Sequence, residues 1–125
     1  MKVAVIGGGA AGFFAALSAA DHHPTATVVL FEKSNKWLAK VKISGGGRCN
    51  VTHACFAPAA LSKNYPRGAK HLKKAFPVFH AQHTVDWFTE RGVPLKTEED
   101  GRMFPAANTS QAVIDCLIGE AKSLG

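Results

Sequence analysis

Short apolar runs, set off by glycine, proline and charged residues, alternate along the first third of the chain. Lys2 to Ile6 (Lys-Val-Ala-Val-Ile) is rich in β-branched residues and ends on glycines, the form of a buried parallel strand. Ala10 to about His22 is built from Ala, Phe and Leu with no proline before Pro24, and predicts a helix. Ala26 to Phe31 (Ala-Thr-Val-Val-Leu-Phe) predicts a second buried strand. Strand, helix and strand together make one βαβ unit, whose crossover is expected to be right-handed.

Beyond Glu32 the pattern loosens. Lys33 to Thr52 is irregular and basic, broken by Gly45-Gly46-Gly47, and Phe56 to Pro66 is a loop or short helix. Ala69 to Phe76 predicts a short basic helix stopped by Pro77, and His80 to Arg91 another, with Val85 and Phe88 inward and Gly92 as its stop. Val93 to Thr97 and Arg102 to Phe104 are expected to be short strands around the Glu98-Glu99-Asp100-Gly101 turn. Asn108 caps a final helix, with Gln111 three residues on completing a capping box. Val113, Leu117, Ala121 and Leu124 repeat on one face of that helix, which Ile114 and Ile118 widen, and Gly125 follows as its C′ residue. The fold class is therefore α/β with a Rossmann-like βαβ start. No run of about 18 apolar residues exists, so no transmembrane helix is expected. The glycines that interrupt the apolar N-terminal stretch argue against a signal peptide.

The turn Gly7-Gly8-Gly9-Ala10-Ala11-Gly12 carries the first chemistry. Gly7 allows the sharp turn from strand to helix, Gly9 lets a pyrophosphate approach the backbone, and Gly12 lets the helix pack tightly on the strand. The helix start, with Ala10 and Ala11, offers unsatisfied N–H groups and the positive end of a dipole to phosphate. Glu32 stands at the end of the second strand, where a carboxylate can accept hydrogen bonds from ribose hydroxyls. Its charge disfavours a 2′-phosphate. Taken alone, the turn allows FAD or NAD(P).

Charge sharpens the picture once it is located. The net charge is +6, but the stretch from Lys33 to Lys74 holds ten Lys and Arg and no acid, while the rest of the chain sums to −4. Part of the chain thus faces an anion. Within that stretch, Lys40-Val-Lys-Ile-Ser-Gly-Gly-Gly-Arg-Cys-Asn-Val-Thr-His53 is a second glycine-rich basic segment, which a simple NAD dehydrogenase does not need. It favours FAD, an extended cofactor that must be covered along its length. The N–H groups of Gly45, Gly46 and Gly47 can form an anion-binding concavity. Arg48 can neutralise a phosphate and Asn50 can bond a flavin or ribityl oxygen, with Lys33, Lys40 and Ser44 lining the remainder.

These motifs, with Glu32-Lys33 and Gly101-Arg102-Met103-Phe104-Pro105, resemble the BaiN/RdsA-type NAD(P)/FAD-dependent oxidoreductases, the HI0933-like flavoproteins. The likeness spans essentially the whole chain. It implies FAD bound by a two-dinucleotide-type domain, accompanied by an inserted β-rich domain and a helical domain. It also implies hydride passing from NAD(P)H through FAD to an unsaturated acceptor, with substrates from steroid-like bile acid intermediates to a uridine of ribosomal RNA. Family members are several times longer. The chain thus reads as residues 1–125 of an FAD/NAD(P)-binding domain, an N-terminal part expected to be inactive alone, with the remaining domains absent. No catalytic acid can be named.

The other reactive side chains have plainer readings. Cys49, Cys55 and Cys116 lack a dithiol spacing and fit a reducing, cytoplasmic compartment; Cys49 is better read as structural than as a redox thiol, and Cys116 as core. His80 and His83 share a helix turn without a third ligand, so no metal site is expected. The run Lys63, Arg67, Lys70, His71, Lys73, Lys74 is either a solvated face or an RNA-facing one. The alternative to an enzyme is a non-catalytic nucleotide-binding module with that basic face toward nucleic acid.

Overall fold

The two leading apolar runs pair directly in parallel. In the computed structural model, which describes residues 1–125, β1 (Lys2–Ile6) lies beside β2 (Thr27–Phe31) in the register Lys2↔Thr27 to Ile6↔Phe31. Helix α1 (Ala10–His22) connects them and packs on both. Each strand alternates exposed and half-buried positions, so Val3, Val5, Val28 and Leu30 are half-buried while Ala4, Ile6, Val29 and Phe31 are exposed, Ile6 by 79%. The expected double-sided burial is therefore corrected: the helix of this βαβ unit covers only one face of the sheet.

The segment read as an irregular loop contains a helix. α2 (Ala39–Gly47) is entered through Leu38, a non-glycine residue in the left-handed region (φ 54°) whose side chain is only 1% exposed. The helix breaks at Ser44 (ψ 150°), and Gly45, Gly46 and Gly47 follow with φ of 55°, 67° and 84°. Three successive positive φ angles are strained for any residue with a Cβ, which explains the glycine run. The same run hides the helix from a propensity reading.

The chain divides into two compact units, Met1–Cys49 with Thr109–Gly125, and Asn50–Asn108. In the first, α6 (Ser110–Leu124) returns to pack on α1 and α2. Phe13, Leu17, Leu38, Val41, Val113, Ile114 and Leu117 form its core. The Ser110 hydroxyl, 4% exposed, donates to the Lys42 carbonyl at 2.8 Å. The α6 cap is Thr109, not Asn108: Asn108 takes a left-handed conformation (φ 60°), and the extended Thr109 presents Oγ1 to the Gln111 N–H at 3.2 Å. Gln111 reaches forward to Asp115 instead of closing a capping box. Cys116 is half-buried rather than core. Between α1, β2 and α6 lies an apolar groove of about 720 Å³, lined by Phe13, Leu17, Leu30, Trp37 and Ile118 among others.

The second unit is a three-stranded antiparallel sheet, β3 (Thr52–His53), β5 (Arg102–Pro105) and β4 (Leu95–Thr97) in that order, with α5 (Ala81–Glu90) packed on its outer strands. α3 (Pro58–Ser62) and α4 (Ala69–Ala75) pack on each other. Phe104, at 0% exposure, and the buried Leu61, Ala81, Phe88, Val93 and Met103 make the core. The α5 cap uses two imidazoles. His80 Nδ1 accepts from the Gln82 N–H at 3.2 Å, and His83 Nδ1 accepts from the His80 N–H at 3.0 Å. No three His, Cys, Asp or Glu side chains stand together as a metal-holding group, and no helix is long and apolar enough to cross a membrane.

Candidate functional site

The site is built where β1 hands over to α1. Gly7 leaves the strand with φ 109°, and its N–H donates to the Phe31 carbonyl at 2.7 Å, tying the turn to the end of β2. Gly9 is the N-cap of α1 and supplies no side chain to the first-turn N–H groups, and no side chain elsewhere caps the helix. Those orphan donors at Ala10, Ala11 and Gly12 point out of the helix start, where an anion is stabilised by the dipole. A Cβ added at Gly9 would meet nothing within 4 Å, so the cradle is open. A Cβ at Gly12 would fall far inside the Gly7 carbonyl oxygen, so this glycine is required by packing.

Glu32 closes one side of the turn. Its Oε2 accepts from the Gly8 N–H at 2.8 Å and its Oε1 from the Ser34 N–H at 2.8 Å. A carboxylate has about four acceptor sites, so each oxygen keeps a lone pair for a further donor. These bonds, Ser34 first and Gly8 second, hold the Glu32 carboxyl below its ordinary value of about 4.5. A group depressed in this way contributes stability that is present above the unfolded value and lost as pH falls through the folded one. Wild-type stability is therefore expected to decline below about pH 4.5, and Glu32→Gln to flatten part of that decline, in urea titrations between neutral and acid pH. Asp100, depressed by its bonds to Arg102, keeps its own share of the slope in both proteins.

Two neighbours escaped the sequence reading. The Leu38 N–H donates to the Gly8 carbonyl at 2.8 Å, and the Trp37 ring lies where a Gly8 Cβ would be, edge-on to Phe13 with centroids 5.8 Å apart. Trp37 and Leu38 thus clamp the outer side of the turn. A tryptophan in an otherwise polar stretch was the available signal; the left-handed Leu38 had none.

At the second glycine cluster Gly45, Gly46 and Gly47 all take left-handed backbone angles. The Ser44 hydroxyl donates to the Val41 carbonyl at 2.8 Å, and the Ser44 carbonyl accepts from the Cys49 N–H at 3.0 Å, closing the loop on itself. Lys33 and Lys40 are exposed and Arg48 is half-buried. Cys49 is buried, and burial pushes its thiol up, away from the thiolate a redox role requires. Asn50 belongs to the second unit. With its amide turned to donate, it reaches the Thr52 carbonyl at 2.9 Å and the Met103 carbonyl at 3.3 Å, so the amide nitrogen serves the sheet. His53 faces the β4–β5 turn, its ring filling the space a Gly101 Cβ would need.

The uncapped α1 start and the Glu32 carboxylate that holds Gly8 and Ser34 both lie in the first unit. The family model described as the HI0933-like protein Rossmann domain matches residues 1–125. The chain is similar to a 3-dehydro-bile acid delta(4,6)-reductase of Clostridium scindens, 28% identical over 93% of the chain and 27% of that protein. It is similar also to the ribosomal RNA dihydrouridine synthases of Escherichia coli (30% identical, 94% of the chain, 28% of that protein) and Haemophilus influenzae (29%, 97% and 29%). The chain thus spans less than a third of the length of these relatives.

Proposed function

Since the chain belongs to the HI0933-like Rossmann-domain family, we propose that its first unit holds the ADP half of FAD in a flavin-dependent oxidoreductase. The observation that carries this reading is the Glu32 fork. One carboxylate pins Gly8 and Ser34, keeps a lone pair on each oxygen for ribose hydroxyls, and stands beside the open Gly9 cradle. Ala10, Ala11 and Gly12 would take the pyrophosphate on their N–H groups, and Gly45 to Gly47 with Arg48, Lys33 and Lys40 would neutralise further negative charge. The bound flavin supplies hydride transfer from NAD(P)H to an unsaturated carbon–carbon bond. The chain's own part is to bind, orient and neutralise. Glu32 repels a 2′-phosphate, which supports FAD or NAD rather than NADP at this turn.

The relatives' names divide the acceptor between a bile acid and ribosomal RNA. A bile-acid carboxylate needs one or two cations, whereas the second unit carries five Lys and Arg between Lys63 and Lys74 with no acid among them. That excess supports a base in RNA as the acceptor. A non-catalytic module would share the basic face but not the colour.

Purified full-length protein, with the remaining domains present, is expected to be yellow and to bleach anaerobically with NADH or NADPH. Glu32→Ala is expected to weaken FAD retention about tenfold or more, because the ribose hydroxyls lose a charged acceptor. Colourless protein that takes up no FAD, or undiminished retention in the variant, would overturn the assignment.

A further inference from the structure

The basic residues of the second unit are arranged at a cost to their own helix. In α4, Lys70, Lys73 and Lys74 occupy positions i, i+3 and i+4, so three ammonium groups share one face, and all three are exposed. Like charges at this spacing destabilise a helix. Lys70 also sits in the first turn, against the positive end of the dipole, and that turn holds no acid. Lys63 and Arg67, in the connection from α3, are exposed as well. No Asp or Glu occurs between Lys33 and Val85 to relieve them in sequence. A face kept only for solubility normally intersperses both signs. This one does not, and an anionic partner would turn each repulsion into an attraction.

The aromatic residues around this face complete the reading. Tyr65 is 43% exposed and leans on Phe76, with ring centroids 5.7 Å apart at 54°, so a supported π-face stands among the cations. Ala69, Leu72 and Phe76, on the other side of α4, are half-buried. A membrane-surface helix presents its apolar side outward. Here that side turns inward and the exposed side is cationic. Phosphates with unpaired bases fit such a surface better than a lipid layer does.

We propose that the α3–α4 face is a docking surface for single-stranded RNA, with Lys63, Arg67, Lys70, Lys73 and Lys74 on phosphates and Tyr65 under an unpaired base. The choice of RNA rests on the reading of the acceptor given above. The surface itself is separable from the flavin site, so the two fail separately.

The test is fluorescence anisotropy of the whole protein with a labelled mixed-sequence RNA strand of about 20 nucleotides across a salt series. Five phosphate contacts predict a log–log salt slope of about −3 to −4. The triple variant Lys70→Gln/Lys73→Gln/Lys74→Gln is expected to bind at least about tenfold more weakly, with a slope nearer −1 to −2. It should melt no lower than wild type, because the repulsion is relieved, and should retain FAD equally. Tyr65→Ala is expected to lose about fivefold or more in affinity with the salt slope unchanged. Undiminished RNA binding by the triple variant would overturn the proposal. So would tighter binding to the matching duplex or DNA strand, or Lys-dependent binding to phosphatidylserine vesicles in place of RNA. Loss of FAD with RNA binding intact would instead strike the flavin reading alone.

Discussion

Gly12→Ala is expected to unfold the nucleotide turn, whereas Gly9→Ala, three residues earlier, should leave the fold standing. At Gly12 the added methyl would fall inside the Gly7 carbonyl oxygen and also meet the Leu30 side chain at 3.4 Å. Gly7 has no room to yield, since its N–H is committed to the Phe31 carbonyl at 2.7 Å and its φ of 109° already lies in the glycine region. Relief would require moving α1 off the strands. Overpacking against fixed backbone costs about 1–3 kcal/mol and occasionally more, and this contact belongs at the upper end. At Gly9 the backbone (φ −90°, ψ −173°) suits any L-residue and the space is open, so stability should change by no more than about 1 kcal/mol. The open space is where the pyrophosphate would approach, so Gly9→Ala should nonetheless lose FAD. Thermal melts and flavin content measured on both variants separate the outcomes. Equal stability of the two variants would refute the packing argument.

Phe104→Ala should be the most damaging single change in the second unit. Phe104 is fully buried on β5, the middle strand of three, with Met103 and Pro105 buried on either side of it. Truncating a buried phenylalanine typically costs about 3–5 kcal/mol, through lost burial and the cavity left behind. Whole domains are stable by only about 5–15 kcal/mol, so a unit of this size has little left after such a loss. Urea titration followed by circular dichroism should show the transition of the second unit moving to much lower denaturant or disappearing. Phe104→Leu, which refills most of the volume, should recover the larger part. A midpoint within error of wild type would show that the strand repacks without the ring.

The parts of the fold legible in sequence are those whose signal is local. The β-branched run before Gly7, the alanine-rich helix after it, and Glu32 at the end of the next strand all lie where the periodicity and glycine spacing put them. The β4–β5 turn was legible for the same reason, since Gly101 (φ 87°) follows three acids between two short apolar runs. What escaped depends on tertiary context. α2 carries three glycines whose conformational role outweighs helix propensity, and its entry through a left-handed Leu38 is sustained by complete burial of that side chain. Trp37 reaches the nucleotide turn only because the chain doubles back after Ser34. The choice of Thr109 over Asn108 as cap turns on one backbone angle, and both residue types are good caps. For the candidate site, the glycines and Glu32 could be named from spacing. The use of Asn50 by the sheet could not, because its partners, Thr52 and Met103, include a residue 53 positions further along the chain.

The first unit is assembled from two stretches separated by the whole of the second. This orders events during synthesis. A growing chain acquires β1, α1 and β2 first, but Leu117 and Val113, which fill the space against α1 and α2, are translated only after residue 108. Residues 50–108 are contiguous and can close on themselves meanwhile, with only short loops to restrain. The glycine turn is thus made early, and until α6 arrives the apolar flank of its helix is open to any other nascent or misfolded chain.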